Sequence, residues 1–301
     1  MELHQLRYFV AAAEAGTMSL AAQRCRVAQP SLSQQIQKLE YALGAALFDR
    51  LGRGIALSPA GRALLPRARR ILAEVQDAQT LLTSDVSEAV GRFAIGAIPT
   101  MAPYLLPELV TKLQEEFPRC DLAVCEDYTQ NLLQQLADNQ LDIALVSTPI
   151  EHELMHVEVI GSEPMLVVTP ANHPLCHLET IGLPELRAQP TITLSEVHCL
   201  GRQISGFCSS RGLATRVACQ TTQIATVLEL VDRGLGVSLI PEMAAAREPS
   251  LAHRFLRLKR NPPTREIALA RRKDRIRAGI GVRIGELLRE QLAMLRQRIK
   301  V

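Results

Sequence analysis

The chain contains no tryptophan, and aromatic residues make up only 3% of its 301 residues, so its cores must be aliphatic. No stretch reaches the ~18 consecutive apolar residues that a membrane span needs. Met1–Arg7 is polar and no long apolar run follows, so neither a secretory leader nor a membrane partner is expected. Glycine-rich phosphate loops of the Walker or dinucleotide type are missing, as is a nucleophile elbow. The histidines lack the spacing of metal ligands. Cys120 and Cys125 are five apart on a candidate strand, where a period of two sends them to opposite faces, which argues against a zinc pair. No metal and no cofactor are expected. The net charge is +3, too small to argue for nucleic acid by itself.

Other features are informative. A chain of this length, 47% hydrophobic, has room for two domains and is not disordered throughout. Its seven cysteines are odd in number and scattered. With no leader, they indicate a cytoplasmic protein with reduced thiols, in which a disulfide is an event rather than a staple. Charge is unevenly spread. Residues 1–70 carry ten Lys or Arg against four Asp or Glu, a local excess of six that suits DNA.

Leu3, Leu6, Phe9, Val10 and Ala13 recur with a helical period, and Gly16 ends that run. Ser19 is the expected cap of a second, short helix. A third spans QPSLSQQIQKLEYALG, with Pro30 in its first turn and Leu32, Ile36, Leu39 and Leu43 as its inward stripe. The other face presents Gln29, Ser31, Ser33, Gln34, Gln37 and Lys38. Two short helices around a tight turn, the second rich in amides and hydroxyls, read as a helix-turn-helix. Glutamine can read adenine edges, while serine and lysine hold phosphates. Gln29, Pro30, Ser31, Ser33, Gln34 and Lys38 are the candidate DNA-facing set, against the plainer reading of a helical bundle with a polar face. LFDRLGRGIALS, Leu47–Ser58, reads as a hairpin wing whose Arg50 and Arg53 grip phosphates.

Ser58-Pro59 opens a long helix. Leu64, Ala68, Ile71, Val75, Ala78 and Leu82 form a seam along it, read as a dimer helix pair, with packing inside one subunit as the alternative. Pro66 costs ~3 kcal/mol inside a regular helix, which predicts a bend there or a later helix start. From Gly91 strands alternate with helices, which predicts an α/β domain with a mainly parallel sheet. Thr100 and Thr129 fall at strand-to-helix junctions, where sites gather in α/β sheets. Taken alone, each threonine reads more simply as a helix cap.

In EVHCLGRQISGFC, Glu196–Cys208, a cysteine follows a histidine and a second cysteine closes the segment. Near a helix start, with His198 adjacent and Arg202 a turn away, Cys199 has company that favours a thiolate. Along one helix the two cysteines lie about 13 Å apart, whereas a disulfide needs Cα atoms within about 7 Å. Bridging them requires the segment to refold. The alternative is two thiols packed as small hydrophobes.

The run AAQRCRVAQPSLSQQIQKLEYALGAALFDR…LSPAGR resembles the winged helix-turn-helix and linker helix of the LysR family of transcription regulators. The resemblance implies an α/β chain: an N-terminal winged helix-turn-helix (1–58), a linker helix for dimerisation (59–90), and a two-subdomain periplasmic-binding-protein-like effector domain (91–301). Its first subdomain would take about 91–162 and 266–301, its second about 163–265. HCLGRQISGFC resembles the redox segment of peroxide-sensing members of that family, in which the first cysteine reacts with hydrogen peroxide and the second resolves it as a disulfide. That implies Cys199 as the reactive thiol and Cys208 as the resolving one. GAIPT…YLLP and CEDYTQNLLQQL fall where those members keep peroxide-contacting threonines, here Thr100 and Thr129. His198, Gln203 and Arg265 match further positions of the pattern. Arg202 departs from it, standing where the family carries an acid. The implied partners are operator DNA, hydrogen peroxide, RNA polymerase, a glutaredoxin or thioredoxin system for reduction, and further copies of the chain in a dimer of dimers. A regulator answering to a small metabolite in the effector cleft is the alternative. A thiol peroxidase is a third reading, against which the DNA-reading unit argues.

Overall fold

The computed structural model describes residues 1–50, 54–82, 91–212, 216–248, 250, 252–260, 262–275 and 279–298. Two compact units result, Met1–Asp85 with Ala137–Gln140 and Val86–Leu136 with Leu141–Val301.

The first unit opens with α1 (Leu3–Ala15), α2 (Met18–Arg24) and α3 (Gln29–Leu43). α1 and α3 both stop at a glycine in the left-handed region, Gly16 and Gly44, a conformation open to glycine without strain. The cap of α2 is Thr17 rather than Ser19: its hydroxyl accepts from the Leu20 N–H at 3.3 Å, and Ser19 lies inside the helix. Leu6, Phe9, Leu32, Ile36 and Leu39 are buried in one aliphatic core with Leu47 and Phe48. Leu43 keeps the helical period but is 41% exposed, because the core ends a turn before the helix does.

Strands β1 (Phe48–Arg50) and β2 (Ile55–Leu57) pair antiparallel as the wing. Arg53 and the side chain of Arg50 lie outside the described residues. Ser58 then caps α4 (Pro59–Leu82), accepting from the Gly61 N–H at 3.0 Å and donating to the Ala46 carbonyl at 2.6 Å. α4 runs through Pro66, so the later start is not what occurs. Its seam divides. Ala68 is fully buried and Leu64 packs against the core of the same chain, whereas Ile71 and Ala78 are exposed. The side chain of Leu82 is outside the described residues.

The second unit is a mixed sheet flanked by helices. Its strands are β3 (Gly91–Ala97), β4 (Cys120–Glu126), β5 (Ile143–Ser147), β6 (Met155–Pro170), β7 (Thr180–Ile181), β8 (Pro190–Leu194), β9 (Arg216–Thr221), β10 (Ser238–Pro241), β11 (His253–Leu258) and β12 (Thr264–Arg272). Between them come α5 (Ala102–Glu116), α6 (Thr129–Ala137), α7 (Leu183–Arg187), α8 (Cys199–Ser210), α9 (Ile224–Asp232) and α10 (Glu242–Arg247), with α11 (Gly279–Arg298) last. The main sheet runs β4-β3-β5-β12-β6-β11-β7, with β10 also on β6, and β8 and β9 pair separately. The sheet is not mainly parallel: β6 pairs antiparallel with β12, β10 and β11, and β12 antiparallel with β5. The long β6 is the reason. Its first ten residues pair with β12, and the remainder with β10 and β11. No described helix is long and apolar enough to cross a membrane.

Candidate functional site

In the first unit, α3 presents Gln29, Pro30, Ser31, Gln34, Gln37 and Lys38 as exposed residues on one side. Ser33 is half-buried and accepts from the Gln29 amide at 3.0 Å. Gln35 turns the other way, where its carbonyl oxygen meets the Gln5 amide at 3.1 Å and His4 at 3.2 Å. Glu40 ties α3 to the wing, its Oε1 accepting from the Leu47 N–H at 2.7 Å and the Phe48 N–H at 3.3 Å.

In the second unit, α8 begins at Cys199 with His198 as its N-cap residue, and Cys208 lies near its end. Both thiols are free and half-buried. Burial pushes the Cys208 thiol up from its ordinary pKa. Nine steps of unbroken helix separate the two cysteines' Cα atoms by about 13 Å. His198 is buried, which disfavours its charged form and pulls its pKa down; a hydrogen bond with the Thr222 backbone partly offsets this. Among the described residues Nε2 of His198 is buried with no hydrogen-bond partner. The Tyr128 ring packs edge-on against the His198 ring, centroids 4.9 Å apart. That contact joins the start of α8 to the residue before Thr129, which is half-buried as the first residue of α6. Arg202 is exposed and donates to the Glu196 carbonyl at 2.8 Å.

Gln203 reaches from α8 to the end of β5. Its amide nitrogen donates to the Ser147 hydroxyl at 3.1 Å and to the Thr148 carbonyl at 2.7 Å, which fixes the amide's orientation. Its Oε1 is buried without a hydrogen-bond partner among the described residues. Ser147 donates in turn to the Glu266 carbonyl at 2.9 Å, and Thr148 bonds the Glu266 carboxylate. Leu200, Gln203, Ile204 and Phe207 of α8 form one wall of a cavity of about 440 Å³; Thr148, Pro149, Met165 and Pro263–Glu266 form the rest.

Arg265 is 1% exposed. Its Nε donates to Glu163 at 2.6 Å, and its two terminal nitrogens donate to the Thr100 hydroxyl at 2.9 Å and the Thr100 carbonyl at 3.0 Å. Thr100 does not cap α5, whose N-cap residue is Met101. Because the Thr100 oxygen accepts from a guanidinium, its own proton is left to donate.

Residues 3–62 match the description "Bacterial regulatory helix-turn-helix protein, lysR family", and residues 87–293 match "LysR substrate binding domain". The chain belongs to the LysR family. It is 33% identical to the hydrogen peroxide-inducible genes activator of Haemophilus influenzae, over 90% of this chain and 91% of the relative. A full-length OxyR from Pseudomonas aeruginosa superposes with a TM-score of 0.75 at 27% identity, covering 98% of this chain and 95% of that one. A hydrogen-peroxide-bound cysteine mutant of Corynebacterium glutamicum OxyR gives 0.68 at 29% identity, covering 99% and 94%.

Of the candidate sensing residues, His198, Cys199, Gln203 and Cys208 share α8 or its cap, Thr100 is held by Arg265, and Thr129 starts α6 next to Tyr128, whose ring packs on His198. Tyr128, Ser147 and Glu163 were not anticipated. Tyr128 stands beside Thr129 in a run already of interest. Glu163 left one trace, a lone carboxylate in the otherwise uncharged GSEPMLVV, where a charge needs a partner. Ser147 left none.

Proposed function

We propose that this LysR-family regulator is a hydrogen peroxide sensor switched by an intramolecular Cys199–Cys208 disulfide. The Cys199 thiolate attacks one peroxide oxygen, the O–O bond breaks, and the second oxygen leaves as water once it takes up a proton. Cys199 is then a sulfenic acid. The Cys208 thiol attacks that sulfur, the S–S bond forms, and a second water leaves. Two thiols have lost two electrons and peroxide has become two waters.

One observation carries the reading: among the described residues, two buried polar atoms on the Cys199 helix and its cap, His198 Nε2 and Gln203 Oε1, have no hydrogen-bond partner. Hydrogen peroxide brings two O–H donors. Thr100, pinned by Arg265, supplies a proton toward an oxygen, and Thr129 adds a second hydroxyl at the α6 start. The spacing along α8 supports the output. A disulfide needs Cα atoms within about 7 Å, so oxidation has to unwind α8, and four α8 residues wall the cavity. The change would reach the DNA-binding heads through the packing of a dimer of dimers, altering operator spacing and contact with RNA polymerase in the cytoplasm. A glutaredoxin or thioredoxin would reset the thiols.

The test is mass mapping of the thiols of the full chain before and after dilute peroxide. A loss of two hydrogens with a 199–208 linked peptide is expected; two free thiols and unchanged operator binding would overturn the reading. A second reading draws on the cavity of about 440 Å³, which has room for a small metabolite. Cys199→Ser separates the two: the sensor loses its peroxide response, and a metabolite-responsive regulator keeps its signalling.

A further inference from the structure

Glu163 is a buried charge that the chemistry above leaves unused. It lies in β6, 4% exposed, and is 102 residues before its partner Arg265 in β12. Each carboxylate oxygen is committed. Oε1 takes Nε of Arg265 at 2.6 Å, and Oε2 takes the Met243 N–H at the start of α10 at 2.7 Å. The carboxylate therefore cannot rotate without breaking one of two short bonds. Arg265, held at Nε, turns its two terminal nitrogens onto one residue and grips both the hydroxyl and the carbonyl of Thr100. That two-pronged hold fixes the Thr100 side chain as well as its backbone.

Stability alone is a poor account of this arrangement. A fully buried ion pair is often replaced by apolar residues at no cost, because desolvating two charges cancels much of their attraction. What the pair does supply is orientation. A hydroxyl that accepts from a guanidinium is polarised into a better donor, and its proton can only point away from Arg265. We infer that Glu163 is a positioning residue for the peroxide reaction, acting through Arg265 to aim and polarise the Thr100 hydroxyl. The inference rests on the peroxide-sensing reading above and adds a residue that touches neither peroxide nor thiol.

Substituting Glu163 predicts a selective defect. Glu163→Gln cannot satisfy both neighbours, since Nε of Arg265 and the Met243 amide are both donors and one of them would face the new NH₂. Glu163→Asp keeps the charge on a shorter stem. The experiment compares second-order rates of Cys199 modification in the full-length chain by hydrogen peroxide and by iodoacetamide. Alkylation breaks no O–O bond and needs no donor from Thr100. Relative to wild type, Glu163→Gln should slow the peroxide reaction at least about tenfold, or about 1.4 kcal/mol of barrier, and leave alkylation within about twofold. Glu163→Asp should fall between. In a Thr100→Val background, Glu163→Asp should change the peroxide rate no further, because the residue it acts through is gone.

Peroxide and alkylation rates falling together would mean a structural role and overturn the inference, as would an additive Glu163→Asp effect in the Thr100→Val chain. The Asp series decides the matter if Glu163→Gln does not fold. A wild-type Cys199 no faster with peroxide than a free thiol would sink the peroxide reading, and this inference with it. A fast wild type with an unchanged rate ratio in Glu163→Asp sinks the inference alone.

Discussion

Gly201 and Gly206 sit five residues apart on the helix that carries both cysteines, in opposite surroundings. A β-carbon on Gly201 would lie 2.3 Å from the Ser195 carbonyl oxygen, whereas one on Gly206 would meet nothing within 4 Å. The first glycine lets α8 press onto the turn that precedes it. The second has no steric reason to be there, yet costs the helix roughly 1 kcal/mol relative to alanine. α8 is anchored at its Cys199 end and weak toward Cys208, as a segment should be if its far end unwinds.

Gly206→Ala should therefore make the disulfide harder to form. Alanine stabilises the helical, reduced form by about 1 kcal/mol, which raises the midpoint potential of the Cys199–Cys208 couple by about 20 mV. Redox titration with a glutathione or dithiothreitol series reads this shift. An unchanged potential in a folded variant would mean that α8 does not unwind through residue 206.

Gly201→Ala should behave differently. Its β-carbon meets backbone, which cannot swing aside, so the helix start must move. Overpacking of this kind costs about 1–3 kcal/mol, and thermal unfolding should show a lowered midpoint. A Tm equal to that of Gly206→Ala would contradict the close approach.

The local features were legible because they are written locally. The stop at Gly16, the stripe Leu32–Ile36–Leu39 and the His198–Cys199 start of α8 all depend on neighbours within a turn or two. Leu43 was misread because periodicity says which side a residue faces, not whether anything lies opposite. Ser19 yielded to Thr17 because both are good caps two residues apart, and only the chain's path chooses between them. Pairings across long separations left no pattern. The antiparallel partner of β6, β12, lies about a hundred residues on. The same separation hid the Glu163–Arg265–Thr100 chain, although Arg265 and Thr100 each stood out as isolated residues.

His198 should confer a pH dependence on stability. Burial holds its folded pKa below the ordinary 6.5, so the unfolded chain binds a proton first as pH falls. The stability contributed by neutral His198 is fully present above about pH 6.5 and is lost as pH drops through that value toward the folded pKa. Urea midpoints measured from pH 7.5 to 5 should fall with acidification, and less steeply in His198→Gln. Parallel profiles for the two chains would show that the imidazole is not the group being charged.

Glu40 is expected to matter to the head through its carbonyl-like role rather than its charge. Glu40→Ala leaves the Leu47 and Phe48 N–H groups beside a buried core with no acceptor. An unsatisfied buried donor costs about 1–3 kcal/mol, so the variant's wing should loosen and its operator affinity fall. Glu40→Gln keeps an acceptor oxygen and should stay near wild type. Circular dichroism melts paired with gel shifts check both; equal losses in Ala and Gln variants would mean that the charge, not the hydrogen bonds, is what counts.

On the exposed face of α3, affinity and specificity should depend on different residues. Lys38 and Gln34 both point outward, but an ammonium and an amide address different parts of DNA. Lys38→Ala should weaken binding to every sequence alike and reduce the slope of log K against log salt by about 1, the signature of one lost phosphate contact. Gln34→Ala should leave that slope alone and lose about 1–3 kcal/mol of discrimination at a single base pair, since an amide reads an adenine edge. Fluorescence anisotropy against operator and scrambled DNA at several salt concentrations measures both quantities at once. If Gln34→Ala lowered affinity for both DNAs equally, the residue would be holding backbone, and base reading would have to fall to Gln29 or Gln37 on the same side of the helix.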